Sequence, residues 1–175
     1  IDGYEFNSNL YGEYNFSNLA SSITIGKFLD LSNKEIQEGL NKFLNDSNRS
    51  EILILDSNKI YLDAYNANPS SMLAAISNFE NVNTNNRVLI LGDMFELGEY
   101  SDQEHQKIVD FLINKDYIKV YLVGDNFSKC KTDEGYFFKF LNTDELAQSD
   151  SFKSLKNMNI LVKGSRGVNL ETLFK

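Results

Sequence analysis

Between an apolar run and an amphipathic segment, the sequence reads Asp63-Ala64-Tyr65-Asn66-Ala67-Asn68-Pro69-Ser70-Ser71-Met72. The preceding run, 60–62, suits a buried strand, and the apolar residues that follow recur at helical spacing. This pattern predicts a strand, a loop and a helix. In open parallel sheets such loops face the ligand-binding crevice, which makes Asp63, Asn66 and Asn68 candidate site residues. On spacing alone, helix capping and turn formation explain the two asparagines equally well.

The rest of the chain repeats this alternation of strand and helix patterns. Further short apolar runs are Val88–Leu91, Val120–Val123, Phe137–Phe140 and Ile160–Val162. Residues 52–55 and 60–62 flank a polar loop and predict a hairpin. Ser101 and Glu104 predict a capping box that opens another helix. The fold class expected is α/β, a Rossmann-like, mostly parallel sheet of about five or six strands with helices on both faces.

The first 46 residues have a different pattern. Residues 1–11 alternate loosely between polar and aromatic and are interpreted as a strand. An apolar stripe from Leu19 to Phe28 predicts a helix that Gly26 weakens or ends, and Ser32 with Glu35 predicts a capping box for a second helix. The two helices could pack on the following domain, pair between chains or stay mobile, and the sequence leaves these alternatives open.

Composition excludes several classes of function. The formal net charge of −8 argues against a nucleic-acid partner, because such binding depends on cationic contacts to phosphates. No apolar run reaches the ~18 residues of a membrane span, so no membrane association is expected. The lone Cys130 excludes an internal disulfide and fits a cytoplasmic location. The single His105 is poor evidence for a metal or catalytic site, so a structural role is preferred.

Lys163-Gly164-Ser165-Arg166-Gly167 follows the last predicted strand and is the best candidate anion site on physical grounds. Two cations and glycine-flanked amides at a predicted helix start suit phosphate or carboxylate, whereas the alternative is a solvated surface turn. Asp93, Glu96 and Glu99 could form an acidic metal cluster, but loop-anchoring and substrate-facing roles are preferred, so no metal site is assigned. The sequence contains no Gly-x-x-x-x-Gly-Lys-Ser/Thr phosphate loop.

Three separated stretches resemble the Mur ligases, in particular the members that add D-alanyl-D-alanine. They are the decapeptide 63–72, the loop Leu91-Gly92-Asp93-Met94-Phe95-Glu96-Leu97-Gly98-Glu99, and Leu161-Val162-Lys163-Gly164-Ser165-Arg166-Gly167. The resemblance covers only the last third of such an enzyme. It implies a fragment with residues 1–46 from the end of the central ATP-binding domain and 47–175 as the C-terminal domain, without the N-terminal domain and the rest of the central one.

The resemblance also implies an activity and its site. The parent would be an ATP- and Mg²⁺-dependent amide ligase that joins D-alanyl-D-alanine to UDP-N-acetylmuramoyl-tripeptide in cytoplasmic peptidoglycan precursor synthesis, through an acyl phosphate. Nucleotide contacts are implied for Asn18, Arg49 and Asp63. Substrate contacts are implied for Asn66, Asn68, Glu96, Lys163, Ser165 and Arg166.

No catalytic residue is assigned within the chain, which is expected to be inactive alone and to bind no cofactor tightly. One rival interpretation is a related ligase, such as a folate polyglutamylating enzyme. The other is a non-catalytic nucleotide-binding or interaction module. Finding a phosphate-loop domain upstream in the same reading frame would favour the ligase over the non-catalytic module.

Overall fold

The structure of the protein is a computed structural model that describes residues 3–8, 10, 15–43, 51–82, 85–132 and 135–174. The α-helices in these ranges are α1 (Asn15–Phe28), α2 (Asn33–Lys42), α3 (Pro69–Glu80), α4 (Ser101–Leu112), α5 (Asp125–Lys129), α6 (Thr143–Gln148) and α7 (Asp150–Lys153). The strands are β1 (Glu51–Leu55), β2 (Asn58–Asp63), β3 (Arg87–Gly92), β4 (Lys119–Val123), β5 (Phe137–Phe140) and β6 (Asn159–Lys163). Turns of 3₁₀-helix cover Gly98–Tyr100, Arg166–Val168 and Leu170–Phe174.

The six strands form one sheet in the order β1-β2-β6-β3-β4-β5. β1 and β2 are antiparallel, as expected for the predicted hairpin, and their turn is Asp56-Ser57. All other neighbouring strands are parallel. The last strand in the sequence, β6, therefore lies between β2 and β3 and joins the two parts of the sheet. The predicted α/β class and mostly parallel sheet are confirmed.

The four central strands, β2, β6, β3 and β4, are buried on both faces, which explains why they appear in the sequence as unbroken apolar runs. Leu89 and Leu91 of β3 face a core formed with α3, α4 and α5. Val88 and Ile90 of the same strand face a second core, which includes residues of α6 and of the last 3₁₀ turn. The period-2 alternation of a strand thus supplies two separate cores from one apolar sequence.

Four local predictions differ from the structure. Residues 3–8 and 10 form no strand; Asn7 instead exchanges hydrogen bonds with the side chain of Gln37 on α2. Gly26 does not end α1, which continues to Phe28. A Cβ atom at Gly26 would lie 2.9 Å from Ile36, so the glycine lets the two helices approach closely.

The other two differences lie at helix starts. Ser101 is the first residue of α4 and not its cap, because the 3₁₀ turn Gly98–Tyr100 leads directly into the helix, and Glu104 pairs with Lys107 instead. After β6 the chain forms two 3₁₀ turns where a helix was predicted. The capping box of Ser32 and Glu35 is confirmed, and its hydrogen bonds lower the pKa of Glu35.

The helices α1 and α2 contribute little buried surface. Ile23 and Ile36 are buried, whereas Phe16, Ile25 and Phe28 are exposed. Helices of this kind are stabilised mainly by packing of an apolar face, so burial stabilises this pair only weakly. Among the described helices, none combines the length and hydropathy of a membrane-spanning segment.

Candidate functional site

The loops after β2, β3 and β6 begin at the same edge of the sheet. These three strands are parallel neighbours, so their carboxyl ends meet there. Each of the three stretches that resemble the Mur ligases crosses one of these strand ends. Residues separated by as many as 100 positions in the sequence are thereby brought into contact.

Lys163 at the end of β6 is buried and bridges to the loop after β2. Its Nζ atom lies 2.8 Å from Oδ2 of Asp63 and 3.0 Å from the backbone oxygen of Asn66. Only 3% of the Lys163 side chain and 15% of the Asp63 side chain are exposed. A buried ammonium needs such compensation, so the lysine that the sequence offers as an anion ligand already has a carboxylate partner.

Ser165 links the loop after β6 to the loop after β3. Its amide donates to the backbone oxygen of Asp93, and its Oγ atom accepts from the amide of Phe95 at 2.9 Å. The ring of Phe95 then covers Gly167, where an added Cβ would lie 2.7 Å from the ring. The two loops are therefore fixed to each other by both backbone and side-chain contacts.

Asp93 at the end of β3 caps the short helix α5 after β4. Its carboxylate accepts from the amides of Asn126 and Phe127, each at 2.9 Å, and from the side chain of Asn126. Gly124 comes just before α5 with φ = 124°, and a Cβ there would lie 2.3 Å from the Asp93 carboxyl carbon. Only glycine permits both this backbone conformation and this approach.

A fourth buried polar residue, His105, accepts from the amide of Met94 in the loop after β3. These four residues hold the strand ends together, and we refer to them as the frame: Asp93, His105, Lys163 and Ser165. Three exposed residues lie on the same loops, and we refer to them as the rim: Asn66, Glu96 and Arg166. The Arg166 guanidinium lies 5.6 Å from the centre of the Tyr65 ring, in the range of a cation–π contact. Glu96 adopts φ = 66°, a left-handed conformation that turns the chain at the rim.

A cleft of about 450 Å³ opens beside the rim. Its charged lining side chains are Asp93, Asp125 and Asp144. Phe95 and Leu141 contribute exposed apolar surface. Because no lysine or arginine lines it, the cleft favours a cationic or neutral group over an anion.

Comparison with known proteins shows the same architecture. The family model described as Mur ligase, glutamate ligase domain, matches residues 48–166. The chain belongs to the Mur ligase family. A UDP-N-acetylmuramoyl-tripeptide–D-alanyl-D-alanine ligase from Borreliella burgdorferi is 31% identical over 98% of this chain and 38% of its own length. A protein of the same name from Buchnera aphidicola is 35% identical over 91% of this chain and 36% of its own.

A similar solved structure is also named as a D-alanyl-D-alanyl ligase. It is the UDP-N-acetylmuramoylalanyl-D-glutamyl-2,6-diaminopimelate–D-alanyl-D-alanyl ligase of Acinetobacter baumannii, with a TM-score of 0.79 and 26% identity. The match covers 96% of this chain and 37% of that one. This Mur ligase chain therefore spans less than two fifths of the length of the relatives it matches.

The remaining residues that the Mur ligase resemblance singled out lie in different places. Asn68 caps α3 by accepting from the amide of Ser71, the capping role that the spacing left open. Asn18 is exposed in the first turns of α1 and hydrogen-bonds Asn15 in the same helix. Arg49, and the expected domain boundary between residues 46 and 47, lie outside the described residues.

Sequence reasoning missed the contacts of two frame residues in this Mur ligase domain. Asp93 was interpreted as a loop anchor, but its partners on α5 were not identified. Its position could have indicated them, because Asp93 follows β3 and Gly124 follows the neighbouring strand β4. His105 was expected to fix a loop, and it does so through the amide of Met94. Nothing in the sequence indicates that partner.

Proposed function

We propose that this chain is the C-terminal part of an ATP-dependent amide ligase that joins D-alanyl-D-alanine to a UDP-N-acetylmuramoyl-tripeptide in the cytoplasm. The observation that carries the proposal is the meeting of the three family-like loops at one edge of the sheet, with the frame holding them together. The named relatives, which match nearly the whole chain, support the same substrate pair.

For the nucleotide, we propose that Asp63 holds the ribose of ATP. Oδ2 of Asp63 accepts a hydrogen bond from Lys163, and this ion pair fixes the orientation of the carboxylate. A carboxylate offers only acceptors, which suits two hydroxyl donors. In this proposal Lys163 acts through Asp63, and Arg49 and Asn18 also contact the nucleotide. A guanidinium suits a phosphate because its fixed fork can bind two oxygens and remains charged.

For the amino substrate, we propose the rim and the adjoining cleft. The amine of D-alanyl-D-alanine is a cation when it arrives, and the acidic lining would attract it. The exposed surfaces of Phe95 and Leu141 suit its methyl groups. Arg166 and Asn66, exposed on the rim, would contact the carboxylate or the acidic peptide.

The chemistry proposed for the whole ligase needs no protein nucleophile. ATP phosphorylates the terminal carboxyl of the tripeptide, the amine attacks the acyl phosphate, and phosphate leaves. Binding both reactants in line and neutralising the transferred phosphoryl group supply the rate enhancement. Mur ligases use ATP with Mg²⁺. The described residues contain no group of three or more His, Cys, Asp or Glu side chains that could hold an ion, so this part of the chain has no assigned role toward the metal.

The test is a coupled assay of ADP formation with the complete ligase, UDP-muramoyl-tripeptide and a choice of amines. We expect turnover with D-alanyl-D-alanine and none with single amino acids or glutamate. Turnover driven by another amine would keep the fold and the ligase class but move the chain to a sister enzyme. The 175-residue chain alone should release no phosphate, because its sequence has no phosphate loop.

The nucleotide role of Asp63 is tested by Asp63→Asn in the complete ligase. Losing a charge-assisted hydrogen bond costs about 1.5 to 3 kcal/mol, so we expect the KM for ATP to rise at least about tenfold. The matched control is Asp116→Asn, an exposed carboxylate 3.9 Å from Arg87. An unchanged KM for ATP would remove Asp63 from the nucleotide site. Thermal unfolding must accompany the assay, because the change also removes the counter-ion of Lys163.

A further inference from the structure

His105 lies near the start of α4 and is completely buried. Its Nε2 atom is 2.9 Å from the amide nitrogen of Met94, in the loop after β3. Its Nδ1 atom is 2.7 Å from the backbone oxygen of Ser101, one turn earlier in the helix. The ring also packs edge-to-face on Phe127, with 4.6 Å between ring centres. Both nitrogens and one face of the ring are thus engaged.

These partners define which nitrogen of His105 carries the proton. A backbone amide can only donate, so Nε2 must accept from Met94. A backbone carbonyl can only accept, so Nδ1 must donate to Ser101. With these partners, the ring proton lies on Nδ1 and Nε2 is the acceptor; Oδ1 of Asp93 lies 3.6 Å from Nε2, beyond hydrogen-bond distance. If Nε2 carried the proton, the ring would offer no acceptor to the Met94 amide.

The contact between His105 and Met94 helps to fix the next two residues of the chain, Phe95 and Glu96. The amide of Met94 is held by His105, and the amide of Phe95 is held by Ser165. Glu96 follows directly in its left-handed conformation. Two successive amides are therefore fixed from two different elements, immediately before the turn that directs Glu96 to the rim and Phe95 to the cleft.

We propose that His105 is a positioning residue for the amino substrate, which acts by holding the Met94–Glu96 turn in the conformation that presents Phe95 and Glu96. The imidazole is completely buried and does not line the cleft. The effect on substrate rests on the proposed function of the rim and cleft. The tautomer and the fixed turn do not rest on it.

The first test uses the 175-residue chain labelled with ¹⁵N. Long-range ¹H–¹⁵N spectra at neutral pH report directly which imidazole nitrogen of the single histidine carries the proton. We expect the Nδ1–H tautomer and strong protection of the Met94 amide from hydrogen exchange. A charged ring, an Nε2–H tautomer or a freely exchanging Met94 amide would overturn the inference.

The second test compares His105→Gln with His105→Leu in the complete ligase. The side-chain oxygen of glutamine can still accept from Met94, whereas leucine fills similar space without an acceptor. We expect leucine to raise the KM for D-alanyl-D-alanine about tenfold, the effect of losing one hydrogen bond worth about 1.4 kcal/mol, with the KM for ATP unchanged. Glutamine should restore most of the loss.

The outcomes separate the inference from the proposed function. Equal kinetics for the two variants, or a loss of kcat alone, would mean that His105 has a purely structural role. If the leucine variant does not fold, the tautomer measurement on the unaltered chain and the glutamine variant still decide. If the unaltered ligase ignores D-alanyl-D-alanine while the Nδ1–H tautomer is found, the proposed function fails and the fixed turn stands.

Discussion

Lys163 and Arg166 are cations three residues apart in one loop, yet the fold uses them in opposite ways. Lys163 belongs to the frame: it is 2% exposed and neutralised by Asp63. Arg166 belongs to the rim and is exposed. The difference shows that one sequence motif can contain both residues that hold a site together and residues that face its ligand. Burial and partners distinguish the two, and sequence alone does not.

Replacing Lys163 should give the largest effect on the frame. Lys163→Met leaves the partly buried Asp63 without its counter-ion, and breaking such a pair typically costs about 3 to 5 kcal/mol. Urea unfolding of the 175-residue chain measures it. The matched control is Lys107→Met, which removes a 2.6 Å ion pair to Glu104 from a side chain that is 56% exposed. That change should cost less than about 1 kcal/mol. Equal losses for the two variants would show that Lys163 stabilises the fold no more than a surface cation does.

Gly124→Ala should follow in size. The alanine would adopt φ near 124° and bring its Cβ against the Asp93 carboxylate. Backbone strain and overpacking each cost about 1 to 3 kcal/mol, so we expect a loss of about 2 to 4 kcal/mol in the free energy of unfolding. Gly135→Ala is the control, because no atom lies within 4 Å of an added Cβ there. A stable Gly124→Ala variant would show that Asp93 is free to leave α5.

Arg166→Ala tests the rim and should hardly change stability. A surface substitution of this kind usually shifts the free energy of unfolding by less than about 0.5 kcal/mol. In the complete ligase we expect the KM of the peptide or amino substrate to rise about tenfold, since a charge-assisted hydrogen bond is lost. Arg87→Ala removes a cation outside the site, from the start of β3, and is the control for net charge. A destabilised Arg166→Ala variant would place this residue in the frame.

Cys130, which follows α5, tests without any substitution how stably α5 is packed. Burial is the main cause that raises the pKa of its thiol to about 11, from a usual value of 9.0. The thiolate is the reactive form, so at pH 8 alkylation should be roughly a hundredfold slower in the folded chain than in urea. Because the pKa is raised, the rate should still be increasing at pH 10. Rapid alkylation of the folded chain at pH 8 would show that α5 opens readily.

The sequence was sufficient to predict the sheet because its evidence is local. Runs such as Val88–Leu91 identify buried strands, and the polar loop at 56–59 identifies the hairpin. The frame was not predictable in the same way. Lys163 and Asp63 are 100 residues apart, and His105 meets Met94 only because α4 packs against the loop after β3. In the sequence, a buried lysine cannot be distinguished from a solvated one until the neighbouring strand that supplies its partner is known.

The errors have the same origin. Ser101 and Glu104 have the spacing of a capping box, but the preceding 3₁₀ turn continues straight into α4 and removes the need for a cap. Residues 3–8 have the alternation of a strand, yet a strand needs a neighbour that supplies hydrogen bonds, and the described part of the chain gives them a helix side chain instead. Local pattern predicts what a segment can form, and tertiary contacts decide what it does form.

The central position of β6 also sets the order in which the protein can be completed on the ribosome. Until residues 159–163 have been synthesised, β1 with β2 and β3 with β4 and β5 are two partial sheets, each with an open edge along an apolar strand. Such edges invite pairing with other chains, and contacts between distant residues form slowly. The frame contains Lys163 and Ser165, so the site can be assembled only after β6 and the loop that follows it have been synthesised. A chain interrupted before residue 159 would lack Lys163, Ser165 and Arg166 and would leave both of these apolar edges unpaired.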